Sequence, residues 1–187
     1  MTRVAKANGL SREQRCRSFS EEGNQKMLTV IHLNGPINSG KSSVGRALAD
    51  LLPEAAFIDG DDHDAPDDAS LPVRIQAALC RIEIQIAKAT GAYLIVAYPL
   101  DQAHYDRLRV AAGRRRARFI VLTLAPPLEV ALSDRGTRKL TDGERERIIE
   151  MYREGYQARA FSDAVLDTAG LAPEQSAQLA AKIVLVS

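Results

Sequence analysis

The chain contains no tryptophan, and phenylalanine and tyrosine bring its aromatic share to only 5%. A platform on which successive bases stack needs aromatic faces, so this poverty argues against single-strand nucleic-acid binding. Cysteine is nearly as scarce. Cys16 and Cys80 are the only two, and neither belongs to a CxxC or Cys/His cluster, so no disulfide framework or zinc site is indicated. Cys80 falls within an apolar helical pattern and reads as a small core residue. Neither sign of charge is in excess, since 25 Lys and Arg against 24 Asp and Glu leave a net +1. No global field therefore steers the chain toward nucleic acid or an anionic membrane. No apolar run approaches the roughly 20 residues needed to span a bilayer, and the start of the chain lacks the apolar segment of a signal peptide. The expectation is a cytoplasmic protein without nucleic-acid or membrane partners.

What is present is an ordinary globular balance, 45% hydrophobic and 26% charged over 187 residues. That length fits one domain with a real core. Residues 1–26 stand apart, being polar, mildly basic and poor in large apolar side chains. They read as a disordered or loosely attached arm, with Ser11, Glu13 and Gln14 offering the start of a short helix. The folded domain is expected over 27–187.

From Met27 onward, strands and helices alternate. MLTVIHLN (27–34), AAFID (55–59), YLIVAYP (93–99), RFIVLTLA (118–125) and AVLDT (164–168) read as strands by their β-branched and apolar density. Between them lie helical patterns. KSSVGRALADLL carries Val44, Leu48, Leu51 and Leu52 on one face and ends at Pro53. A longer helix opens at Pro72 and runs to about Thr90, with Ile75, Leu79, Ile82 and Ile86 in register. Further helices are expected around 101–112, over LEVALSDR, over ERERIIEMYREGYQAR and over PEQSAQLAAKIVLV. Five strands alternating with helices imply an α/β three-layer sandwich around a five-stranded parallel sheet.

The strongest local signal is Gly35-Pro36-Ile37-Asn38-Ser39-Gly40-Lys41-Ser42, a full GxxxxGK[ST] match. It follows an apolar strand and opens an amphipathic helix, the context that a phosphate-binding P-loop requires. Gly35 and Gly40 allow successive N–H groups to point inward at phosphates, and the helix start adds its positive dipole end. Asn38, Ser39 and Ser43 complete the cradle. Lys41 supplies a charge to the β- and γ-phosphates, and the Ser42 hydroxyl is placed to ligate Mg²⁺. ATP and Mg²⁺ are the implied cofactors.

A second signal follows the second strand. FIDGDDHD puts Asp59 at the carboxyl end of a strand, where ligands bind in open α/β sheets. Asp61 lies two residues on, on the same side if the backbone stays extended. Asp59 would hold Mg²⁺ through water, and Asp61 would orient or deprotonate an acceptor hydroxyl. The later carboxylates Asp62, Asp64, Asp67 and Asp68 read as a solvated loop, and His63, His32 and His104 carry no assigned role.

Together, GPINSGKSSVGRALADLL and FIDGDDHD resemble the shikimate kinase and gluconate kinase group of P-loop kinases, and more distantly chloramphenicol phosphotransferase. The resemblance spans 27–186, although its specific motifs lie in the first third. It implies a P-loop NTPase, nucleoside-kinase-like fold with a substrate segment at about 61–90 and a mobile lid at about 135–143. By position, the family's Asp-x-Asp falls on Asp59 and Asp61. Its lid arginines fall on Arg135 and Arg138, one to neutralise the transferred phosphoryl and Arg135 to lie against adenine. Thr168 falls in the loop that passes the base, and Arg74 or Arg81 in the substrate helix. Shikimate kinases carry Gly-Gly-Gly after the third strand, where this chain has Ala97-Tyr98-Pro99-Leu100, so the acceptor stays open.

The function implied is transfer of the γ-phosphoryl of ATP to a hydroxyl of a small molecule, whether a sugar acid, a cyclic polyol such as shikimate, or an antibiotic. A regulatory NTPase or an acceptor-free nucleotide-binding module is the alternative. The third strand ends without Asp or Glu and no NKxD is present, which disfavours a GTPase switch. A monomer or homodimer is expected. The basic cluster Arg114, Arg115, Arg116 and Arg118 reads as a solvated connection, and Tyr152 and Tyr156 as packing residues.

Overall fold

The computed structural model describes residues 27–66, 68–134 and 139–186. The arm at 1–26, together with Asp67, Arg135, Arg138 and the rest of 135–138, lies outside the described residues.

The core is one five-stranded parallel sheet in the order β2-β3-β1-β4-β5. The strands are β1 (Thr29–Asn34), β2 (Ala55–Asp59), β3 (Tyr93–Ala97), β4 (Arg118–Leu124) and β5 (Ala164–Leu166). β1 lies at the centre and is buried along its whole length, as its unbroken apolar run requires of a strand covered on both faces. The edge strands β2 and β5 are only partly covered.

Helices α1 (Lys41–Leu51) and α6 (Pro173–Val186) cover one face; α2 (Leu71–Lys88) and α3 (Gln102–Arg114) cover the other. The period of two divides β1 between the layers. Ile31 and Leu33 meet Val44, Leu48, Ala177 and Ala180 on one side, while Val30 meets Leu79, Ile82 and Leu108 on the other. The one-turn α4 (Leu128–Ala131) and α5 (Asp142–Arg153) add a small third cluster through Ala131, Leu140 and Ile148.

Several boundaries differ from the sequence pattern. The helix expected over LEVALSDR closes after one turn. The helix expected through Gln157 and beyond stops at Arg153, because Gly155 takes φ 79, a left-handed conformation open to glycine that reverses the chain. β3 ends at Ala97, and Tyr98 and Pro99 leave the ladder. Cys80 is half-buried rather than in the core, with its Sγ 3.4 Å from both Gln76 and the Arg107 guanidinium. The arginines at 114–116 are exposed, and Arg115 donates to the Ala89 carbonyl at 2.7 Å.

Two buried polar side chains hold the carboxyl end of the sheet together. Asn34, fully buried at the end of β1, donates to Thr123 Oγ1 on β4 at 3.0 Å and accepts from the Leu100 amide at 2.9 Å. It thereby ties β1, β4 and the segment after β3 directly beneath the phosphate loop. His32, also fully buried, bonds through Nε2 to the Tyr98 carbonyl at 2.7 Å. A carbonyl can only accept, so Nε2 carries a proton. Burial, only partly offset by that bond, lowers its pKa from 6.5 to about 4.

A depressed folded-state value means stability that is complete above pH 6.5 and lost as pH falls toward 4. The expected loss over that window is about 3 kcal/mol from this one ring. Urea titrations across the window measure it, and a flat stability curve contradicts it.

Candidate functional site

The carboxyl ends of β1, β2 and β3 open into a cleft of about 1270 Å³. The phosphate loop forms its floor. Gly35 adopts φ 135, and a Cβ there would lie 2.3 Å from the Leu124 carbonyl oxygen, so a side chain is excluded on both counts. Asn38 takes φ 60, and its side-chain amide donates to the carbonyls of Ala131 at 2.9 Å and Ser133 at 3.0 Å. This pins the turn of the loop to the end of α4. Ser39 is buried, and the Thr168 hydroxyl reaches its carbonyl at 3.4 Å. Gly40, at φ 93, caps α1.

Lys41 is the first residue of α1, and its Nζ folds over the loop. It donates to the carbonyls of Gly35 at 3.0 Å and Pro36 at 2.6 Å. The loop thus presents a charged amine, a helix start and the Ser42 hydroxyl to one side of the cleft, an arrangement suited to a polyphosphate.

Across from the loop stands the Asp59-Gly60-Asp61 turn. Asp59 ends β2 beside Ala97, and its Oδ1 accepts the Asp61 amide at 3.3 Å. Both carboxylates line the cleft with Lys41 and Ser42. The Asp61 side chain meets solvent in the cleft mouth, yet the cleft walls and then Asp59 push its pKa above the ordinary 3.8, against Lys41, His63 and Arg74. Such a group is more basic than a free carboxylate.

Gly60 matters sterically. A Cβ there would lie 2.5 Å from the Tyr98 ring, which packs on the turn in the place where a glycine run was absent from the sequence. Gly60→Ala is expected to cost about 1–3 kcal/mol through this overpacking and to lower activity further by displacing both carboxylates. A shift in the urea midpoint measures the first effect; an unchanged midpoint contradicts it.

Of the other expected residues, Ser43, Arg74 and Thr168 line the cleft. Arg81 does not line it, and its Nε is buried. It lies two helical turns from Arg74, about 10 Å further from the strand ends.

The structure adds residues that the sequence reading left aside. Tyr156 and Arg147 line the cleft, although Tyr156 read as a packing residue. His104 also lines it, held by Asp101, which caps α3 through the His104 amide at 2.8 Å and pairs with His104 Nδ1 at 3.1 Å. Tyr98 is pushed up to about 12, chiefly by burial and then by Asp61, so it remains a neutral phenol. Among the described residues no cluster of three or more His, Cys, Asp or Glu side chains is arranged to hold a metal. No described helix is long and apolar enough to cross a membrane.

No family model matches the chain, and no curated protein does. Solved structures do. The tunicamycin resistance protein of Deinococcus radiodurans shares 26% identity at a TM-score of 0.57, over 83% of this chain and 95% of that one. A gluconokinase from Sinorhizobium meliloti 1021 shares 20% at a TM-score of 0.66, over 84% and 93%. A shikimate kinase from Acinetobacter baumannii, solved in complex with shikimate, shares 21% at 0.61, over 86% and 95%. The fold is that of the P-loop kinases. In that P-loop kinase fold, the five parallel strands, the helices on both faces and the loop after β1 stand as the sequence pattern led one to expect.

Proposed function

We propose that the chain is an ATP-dependent phosphotransferase that moves the γ-phosphoryl group to a hydroxyl of a small molecule. The observation that carries this reading is a convergence. One cleft brings the Lys41 amine and the Ser42 hydroxyl together with the Asp59 and Asp61 carboxylates. The solved gluconokinase and shikimate kinase act on hydroxylated small molecules by their names, which supports the same reaction class here.

Each residue has a role in that reading. The amides of 38–43 and Lys41 hold the β- and γ-phosphates, and Lys41 gives up its carbonyl partners for phosphate oxygens. Thr168, which lines the cleft together with Leu171 and Pro173, flanks the nucleotide base. Ser42 and Asp59 offer hard oxygen donors, one directly and one through water, which fits Mg²⁺. That cation takes few protein ligands and keeps phosphates and waters. When bound, it neutralises charge developing on the phosphates. Asp61 accepts the proton of the acceptor hydroxyl as that oxygen attacks, and the raised basicity suits the task. Arg74 faces the acceptor.

The test is ADP release from Mg-ATP with and without acceptor. A phosphotransferase shows turnover that rises with acceptor concentration and saturates. Hydrolysis to inorganic phosphate at a rate indifferent to every acceptor contradicts the reading and indicates a regulatory NTPase.

A further inference from the structure

The Asp101–His104 pair in the cleft does more than a helix cap requires. The Asp101 Oδ1 that accepts the His104 amide at 2.8 Å also accepts its ring Nδ1 at 3.1 Å. The amide bond alone would cap α3. The ring bond is additional, and it fixes both the tautomer and the orientation of the imidazole. With the proton held on Nδ1, Nε2 of the neutral ring is a hydrogen-bond acceptor. It has no partner among the described residues. The side chain is 25% exposed and lines the same cleft as Asp61 and Tyr98.

The chain carries this pair close to the Asp59-Gly60-Asp61 turn. The Tyr98 ring packs on Gly60, between the two carboxylates. Asp101 follows three residues later, a span of at most about 10 Å. Two fully buried side chains of β1 hold the intervening segment. His32 bonds the Tyr98 carbonyl at 2.7 Å, and Asn34 accepts the Leu100 amide at 2.9 Å. The charges of Asp61 and Asp101 both act on the Tyr98 phenol, which agrees with a shared neighbourhood.

We propose that His104, oriented by Asp101, binds the phosphoryl acceptor. Its Nε2 accepts a hydrogen bond from a second O–H or N–H of that molecule, while the hydroxyl that reacts stays with Asp61. This rests on the phosphotransferase reading above. His104 is then a specificity-determining residue and Asp101 a positioning residue. Two fixed acceptors in one cleft select a molecule with two donors, and an acceptor with one donor would leave Nε2 unpaired.

The experiment uses the full chain with Mg-ATP and four probes: gluconate, shikimate and chloramphenicol, each with several donors, and cyclohexanol with one. For the multi-donor probe that raises ADP release most, His104→Phe should raise the acceptor KM about three- to tenfold, the worth of one hydrogen bond. The KM for ATP should hold, and kcat should change less than the acceptor KM. His104→Gln, whose Oε1 can stand near the Nε2 position and accept, should restore most of the loss. Asp101→Asn keeps a good cap and frees the ring, so its rise in acceptor KM should be smaller than that of His104→Phe. Cyclohexanol should be the poorest probe and the least sensitive to His104→Phe.

Binding without turnover has its own readout. In the Mg-ADP complex, the ¹⁵N resonance of His104 Nε2 should move when a multi-donor probe is added. Acceptor-dependent turnover that His104→Phe leaves unchanged overturns the inference and spares the phosphotransferase reading. So does a Gln variant no better than Phe, or an Nε2 resonance that none of the probes moves. Release of inorganic phosphate at a rate indifferent to every probe instead removes the phosphotransferase reading, and the inference with it.

Discussion

Asp61→Asn is expected to lower acceptor-dependent ADP release by ~10²–10⁴-fold, the range of a positioned general base, with nucleotide affinity nearly unchanged. The change keeps the shape of the side chain and the hydrogen bond from its amide to Asp59, so the loss would report proton transfer and not a displaced turn. Stability gives an internal control with a definite sign. The Asp61 pKa is raised in the fold, so its favourable contribution is present below the ordinary value of 3.8 and is lost as pH rises through the raised one. Above the raised pKa the ionised carboxylate costs stability, and there the Asn variant should unfold at the same urea concentration as wild type or a higher one. In the wild type, kcat/KM should fall on the acid side as Asp61 protonates, at a pH above that of a free carboxylate. A variant that is inactive and also less stable at pH 7 would point to a structural role for Asp61.

Lys41→Met is expected to lower kcat by about 10²–10³-fold, the scale of one preorganised charge-stabilising donor, and to weaken ATP binding as well. The mechanism distinguishes it from Asp61→Asn. Lys41 touches carbonyls of its own loop at Gly35 and Pro36, and these become the atoms it must release when phosphates arrive. Methionine keeps the apolar stem and removes the charge, so stability should hold while both binding and transfer suffer. Equilibrium binding of a non-hydrolysable ATP analogue, set beside single-turnover transfer, separates the two effects. Unchanged ATP affinity and turnover would remove Lys41 from the site.

Much of this was legible in the sequence because its signals are local. The five strands announced themselves by short apolar runs, and β2 at 55–59 agrees to the residue. The loop at 35–42 is a contiguous motif whose backbone geometry follows from Gly35 and Gly40. Asp59 and Asp61 were visible because they sit at a strand end, where the fold class places ligands.

The full lining of the cleft was not legible, since it is assembled from distant parts of the chain. Nothing local in Leu71, Pro99, Met151 and Tyr156 says that they meet. Tyr156 looked like a packing residue because spacing alone cannot tell a core face from a cleft face. Arg147 was hidden within a charged stretch, and its engagement by Glu150 and Glu154 emerges only once α5 is built. Arg74 and Arg81 share one helical face by spacing, yet only Arg74 reaches the cleft. The length of the helix separates them, and periodicity does not record how deep the cleft extends. His32 carried no assigned role in the sequence, and its pattern does not say which segment His32 or Asn34 would bond; in the structure each holds the segment after β3.

The account stands most directly on where the γ-phosphoryl group goes. Phosphorus NMR of Mg-ATP incubated with the chain and a hydroxyl acceptor that raises ADP release follows every phosphorus species at once. The account predicts a phosphate monoester resonance growing in step with ADP, absent without acceptor and lost in Asp61→Asn. Growth of inorganic phosphate alone, at the same rate with and without acceptor, would contradict it.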